Sequence, residues 1–253
     1  MSKSNPTPQH PWALFEGRVK IYSDGADRAS MLEMAAHPLI SGLTTNPSLM
    51  KKAGVKDYRA YAKEILAEIK TKPISFEVFA DDAAEMKRQA LDIATWGKNV
   101  YVKIPITNSL GESCLPLIRE LSHQNISLNV TALFTLEQIW NTCLAVKGGA
   151  PSIVSVFAGR IADAGIDPMP IMTAASAMCR ETAASGKGTV ELLWASTREP
   201  FNVIQAEKSG CEIITVPPDM IKKLSAFGKT LEQGSLETVK GFKSDSDAAG
   251  FSL

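Results

Sequence analysis

The sequence predicts a single parallel (β/α)8 barrel with an extra C-terminal helix. Short β-rich runs alternate with helical patterns along 253 residues, and such barrels fill about 250 residues as one domain. No linker, repeat or shift of composition divides the chain. The expected organisation is a flexible arm over residues 1–17, a barrel over 18–243 and a tail over 244–253.

Strands are expected at 19–23, 39–44, 74–79, 99–105, 126–131, 152–157, 189–195 and 212–216, each rich in Val, Ile or aromatic residues. Helices are expected between them. Residues 57–70 place Tyr58, Tyr61, Ile65, Leu66 and Ile69 close to a 3.6-residue period. Residues 82–96 follow an Asp-Asp capping signal, and Thr135 before Glu137 and Gln138 starts a helix over 135–146. Further helices are expected at 109–123, 168–184, 199–209 and 217–227, with a last one over 231–242. An open doubly wound sheet is the alternative. It would carry a Gly-rich fingerprint after the first strand, whereas that turn reads SDGADRAS.

Lys+Arg and Asp+Glu both number 27, so no net charge draws the chain to nucleic acid or to a membrane surface. A local basic pocket for a small anion is still compatible with that balance. The four cysteines, Cys114, Cys143, Cys179 and Cys211, are scattered singly and form no zinc-ligand spacing. They are expected to be reduced core thiols of a cytoplasmic protein. The polar, Pro-containing N-terminus is not expected to be a secretory signal, and no apolar run is long enough to span a bilayer.

Parallel strands are buried on both faces and should be nearly all apolar. Polar residues on them are therefore informative, because a buried unpaired charge is costly. Asp24 ends strand 1, and Asn46 follows strand 2 in GLTTNPS. Glu77 lies in strand 3 and Lys103 in strand 4. Asn129 and Thr131 end strand 5, Ser155 lies in strand 6 before Arg160, and Ser196 and Arg198 follow strand 7. In a barrel all these strand ends meet on the face that holds active sites.

Each residue also has a plainer reading. Lys103 could snorkel from an edge strand, and Glu77 could simply be its ion-pair partner. Asp24 could cap the helix that follows it, and Asn46 before Pro47 could be turn chemistry. Asn129 could cap a strand end, while Arg160 and Arg198 could be surface residues. On the functional reading, an amine taken out of water becomes a nucleophile able to form an imine with a carbonyl. Asp24 and Glu77 then supply carboxylates for proton transfer. The three histidines fall in the arm or on predicted helices, so a His-dependent triad is not expected.

The stretches SDGAD, GLTTNPS, FEVFA, VYVKIP, NVTALF, VFAGRI, ASTRE and SGCEIITVPPD, in this order, resemble the transaldolase family, including its small fructose-6-phosphate-aldolase-like branch. The resemblance implies a TIM barrel and class I aldolase chemistry in carbohydrate metabolism of the pentose phosphate type, without metal or cofactor. It assigns the Schiff base to Lys103 and the main acid/base to Asp24, with Glu77 and Thr131 acting through a water. It assigns the hydroxyls of a dihydroxyacetone unit to Asn46 and Asn129, helped by Ser155 or Ser196. It assigns the phosphate to Arg160 and Arg198, with Thr45 and Phe157 also at the substrate. Asp27 competes with Asp24 for the acid/base role, and Asp24 is preferred because it ends the strand. Glu77 and Phe157 resemble transaldolases, where the aldolase branch tends to have Gln and Tyr. The implied reaction moves dihydroxyacetone from fructose 6-phosphate or sedoheptulose 7-phosphate to an aldose phosphate, in a homo-oligomer. The alternatives are an aldolase, a sulfo-sugar transaldolase, or a non-catalytic sugar-phosphate-binding barrel.

Overall fold

The computed structural model describes residues 19–184, 186 and 188–251; the expected arm over 1–17 lies outside them. The strands are β1 (Lys20–Asp24), β2 (Ile40–Thr44), β3 (Ile74–Glu77), β4 (Val100–Pro105), β5 (Leu128–Leu133), β6 (Ser152–Val156), β7 (Val190–Trp194) and β8 (Ile213–Val216). All pair in parallel, and β8 returns to β1, so the sheet closes into a barrel. This is the TIM-barrel architecture expected from the sequence. The helices are α1 (Arg28–Ala36), α2 (Pro47–Lys52), α3 (Tyr58–Glu68), α4 (Ala83–Ala94), α5 (Leu115–His123), α6 (Leu136–Val146), α7 (Ala158–Asp163), α8 (Met169–Ala184), α9 (Asn202–Lys208), α10 (Pro218–Lys223) and α11 (Leu231–Ala249).

Strand composition explains the closure. Side chains such as Ile74, Phe76, Val102, Ile104, Val130, Leu192 and Ile214 are fully buried between the sheet and its helices. Where β1 meets β2, Gly42 is required: a Cβ there would lie 2.5 Å from the Tyr22 ring. The registers align the polar residues. Glu77 pairs with Lys103 and Lys103 with Asn129, while Asp24 pairs with Thr44. β5 breaks its register with β6 between Val130 and Leu133, where Ala132 adopts a left-handed φ of 61°. Such backbone costs on the order of 1–3 kcal/mol and gathers at functional sites.

Side-chain caps start many of the helices: Asp27 on Ser30, Asn46 on Leu49, Asp57 on Ala60, Asp82 on Glu85, and a capping box of Thr135 with Gln138. The helix expected at 109–123 begins only at Leu115. Asn108 Oδ1 accepts from the Leu110 and Glu112 amides, and Asp81 holds Ser109, so local side-chain bonds win over helix before Leu115. The helix expected at 199–209 likewise begins at Asn202, whose Oδ1 takes the Arg198 and Glu199 amides. The last helix runs past the expected stop at Phe242 to Ala249. It starts with a Thr230–Gln233 capping box, carries a Lys243–Asp247 ion pair and ends at Gly250 with a φ of 67°. No α11 residue is buried, and Leu236, Val239 and Phe242 are exposed. All four cysteines are buried and free. Among the described residues no helix is long and apolar enough to cross a membrane.

Candidate active site

At the C-terminal ends of the strands a cavity of about 200 Å³ opens, lined by Asp24, Asn46, Lys103, Asn129, Thr131, Ser155, Phe157, Arg160, Ser196 and Arg198. Ten of the twelve residues expected at the site thus form its wall. The other two stand behind Lys103. Thr45 is fully buried, with its hydroxyl turned to the Ser75 carbonyl at 2.8 Å, and its own carbonyl accepts from Lys103 Nζ at 3.1 Å. Glu77 Oε2 lies 3.1 Å from Lys103 Nζ. Thr45 therefore orients the amine and does not itself face the cavity.

Lys103 is 7% exposed, so it does not snorkel from an edge. It faces the cavity from the middle of a closed sheet, gripped by one carboxylate and one carbonyl. Removing Glu77 would take away the carboxylate partner of Lys103 and leave the Thr45 carbonyl as the remaining hydrogen bond on Nζ. Glu77 is itself held. The Tyr58 hydroxyl, from α3, accepts from the Glu77 amide at 2.8 Å and points to its carbonyl at 3.1 Å. This phenol bonds the end of β3 where pairing with β2, which reaches only Thr44 and Ser75, has stopped. Burial pushes the Tyr58 hydroxyl well above the ordinary phenol range, so it stays a neutral donor and acceptor.

Asp24 and Asp27 differ in position. Asp27 is exposed and caps α1 through Ser30, whereas Asp24 lines the cavity. Burial is the main influence on Asp24 and raises its carboxyl above the ordinary carboxylate range, against the Lys103 charge and a 2.8 Å hydrogen bond from Thr44. Asn46 serves two ends at once, since its Oδ1 caps α2 and its side chain reaches the cavity wall.

Asn129 is fully buried in a polar relay. Its amide donates to Ser75 Oγ at 2.9 Å, and its Oδ1 accepts from Ser155 at 2.6 Å. Thr131 follows at the β5 bulge, and among the described residues its buried hydroxyl has no hydrogen-bond partner. Leaving such a group unmet costs about 1–3 kcal/mol, so this hydroxyl is poised for a ligand or water in the cavity.

The two arginines differ. The Arg160 guanidinium lies 5.1 Å from the centre of the Phe157 ring. Arg198 is clamped by Asp163 of α7, with Nε at 2.9 Å from Oδ1 and Nη2 at 2.5 Å from Oδ2. The clamp takes one edge of the guanidinium and leaves the other for an anion. Asp163, Tyr58, Ser75 and the threonines Thr44 and Thr215, which also line the cavity, were missed by the sequence reading. No cluster suited to a metal occurs among the described residues.

The family model for transaldolase/fructose-6-phosphate aldolase matches residues 21–253. The chain belongs to that family. A protein named "Probable transaldolase" from Methanococcus maripaludis (strain C7) is 38% identical over 219 residues, covering 87% of this chain and 94% of the relative. Another of that name, from Rhizorhabdus wittichii, is 33% identical over 235 residues, covering 93% of this chain and 100% of the relative. Among solved structures, a dihydrodipicolinate synthase family protein from Coccidioides immitis aligns with a TM-score of 0.52 at 12% identity. That alignment covers 78% of this chain and 67% of the other, and supports the barrel fold alone. As a member of the transaldolase family, the chain is an aldolase-type enzyme.

Proposed function

We propose that this enzyme transfers a dihydroxyacetone unit from a ketose phosphate, such as fructose 6-phosphate or sedoheptulose 7-phosphate, to an aldose phosphate through a Schiff base on Lys103. The observation that carries this reading is the buried Lys103 amine, paired to Glu77 at 3.1 Å and sharing a cavity with the carboxyl of Asp24. A sugar-phosphate-binding barrel without catalysis would have no use for an amine so costly to bury.

In this reading Lys103 attacks the C2 carbonyl after giving up a proton, with Glu77 beside it as the acceptor. Asp24 helps water leave as the imine forms. It then takes the C4 hydroxyl proton as the C3–C4 bond breaks, and the protonated imine accepts the electron pair. The aldehyde phosphate departs, and a three-carbon enamine stays on Lys103 until an acceptor aldehyde arrives. Asn46 and Asn129 hold its hydroxyls, with Ser155 and Ser196 alongside. Thr131 and Glu77 hold a water that carries protons to and from the imine. Arg160 and the free edge of Arg198 take the terminal phosphate. The exposed apolar side chains of α11 support a homo-oligomer.

Transfer is favoured over simple cleavage by Phe157 and Glu77. Phe157 lines the cavity and has no donor with which to place a water or proton for hydrolysis. The test is cleavage of fructose 6-phosphate with and without erythrose 4-phosphate, in the wild type and in Phe157→Tyr. The wild type should need the acceptor, and the Tyr variant should release more dihydroxyacetone without it. Rapid release by the wild type alone, unchanged by the Tyr substitution, would assign the chain to aldolase chemistry.

A further inference from the structure

The proposed chemistry leaves the hydroxyls of Thr44 and Thr215, both in the cavity wall, without a role. Thr44 ends β2 and Thr215 lies in β8, so the two strands flanking β1 each present a threonine beside Asp24. Thr44 Oγ1 donates to Asp24 Oδ1 at 2.8 Å, and the Thr44 and Thr215 oxygens are 2.5 Å apart. Both threonines are buried, and the Thr215 carbonyl is tied down by the Thr197 hydroxyl at 2.7 Å.

A hydroxyl has a single proton. When Thr44 gives its proton to the Asp24 carboxylate, the proton between the threonines has to come from Thr215. The bonds then all run one way, from Thr215 to Thr44 to Asp24, and each polarises the next. When Asp24 holds a proton on Oδ1, it becomes the donor and both hydroxyls turn over. No covalent step passes through the threonines. The proton arriving on Asp24 comes from the substrate, and the two hydroxyls only rotate.

We propose that Thr215 is a positioning residue for the reaction, orienting Thr44 and, through it, the Asp24 carboxylate. This rests on the reading of Asp24 as the acid/base. The charged group facing Asp24 from β4 is Lys103, itself paired to Glu77 of β3. Arg160 of α7 and Arg198 after β7 line the same cavity, while Asp27 before α1 is exposed. Thr215→Val leaves all of these charges in place and removes only the hydroxyl.

The experiment is the pH dependence of kcat/KM for fructose 6-phosphate in the full-length protein, with erythrose 4-phosphate as acceptor, for wild type, Thr215→Val and Thr215→Ser. Valine keeps the shape and loses the hydroxyl. Weaker donation from Thr44 disfavours the carboxylate, so the acid limb should move up by roughly half a pH unit. Below that limb kcat should fall several-fold while KM changes less than twofold, and Thr215→Ser should restore both. An acid limb that stays in place, or a loss equal at every pH, would overturn the inference. So would a Ser variant that behaves like Val. If the Val variant does not fold, Thr215→Ala replaces it with the same expected shift. Borohydride trapping separates the two levels of the argument. A wild type that traps no ketose on Lys103 overturns the Schiff-base reading and the inference with it. Trapping by wild type and Val variant alike, with an unmoved acid limb, overturns the inference alone.

Discussion

Replacing Gly159 by alanine should damage both stability and anion binding, because this residue is where the two arginine-bearing segments meet. Its amide donates to the Ala195 carbonyl at 3.3 Å in the first turn of α7. A Cβ there would lie 1.6 Å from the Ser196 carbonyl oxygen and 2.7 Å from its carbon, both backbone atoms, and 3.2 Å from Arg198 Cγ. Real Cβ contacts essentially never fall below 3.0 Å, so the segments must separate by about 1.4 Å. Overpacking of this kind costs roughly 1–3 kcal/mol, and each kcal/mol lowers Tm by roughly 2–4 °C in a chain of this size. The shift also moves Ser196 and Arg198 away from Arg160, and a displacement of about 1 Å in a binding group can cost up to about 10²-fold in rate. Thermal unfolding and kinetics on phosphorylated and unphosphorylated ketoses would read both effects. The phosphorylated substrate should suffer more. An alanine variant with unchanged Tm and unchanged kinetics would refute the role given to this contact.

Arg160→Ala and Arg198→Ala should raise KM far more for a phosphorylated ketose than for its unphosphorylated form, each losing charge-assisted bonds worth roughly 1.5–3 kcal/mol; equal losses on the two substrates would refute the anion pocket. Asp24→Asn should abolish turnover yet raise Tm at neutral pH. Burial raises the Asp24 carboxyl, so the folded chain holds that proton more tightly than the unfolded chain does. The contribution of Asp24 is therefore most favourable below the ordinary carboxylate range and is lost as pH rises through its native value. The Asn variant should match wild type in acid and pull ahead toward neutrality; a lower Tm at neutral pH would contradict the assigned direction.

The residues that were legible in the sequence are those that break a rule of parallel strands. Lys103 and Glu77 are charges inside apolar runs, and Asn129 and Ser155 are polar groups on strands that bury both faces. Thr44 and Thr215 broke no rule, because a β-branched side chain is at home in a strand and only the register shows that they meet beside Asp24. Tyr58 read as part of the apolar stripe of α3, and its hydroxyl on the Glu77 backbone is a tertiary contact. α2 and α7, six residues each, are too short for a period to show, and Asn46 both caps α2 and lines the cavity. The stretch before α5 misled because its helix-compatible residues are held by Asn108 and Asp81 instead.

The central claim is that Lys103 carries the substrate, and borohydride reduction in the presence of fructose 6-phosphate tests it most directly. Intact mass followed by peptide mapping should show one ketose-derived adduct, located on Lys103 and absent from Lys103→Ala. An adduct mapped to another lysine, or one that persists in Lys103→Ala, would contradict the account.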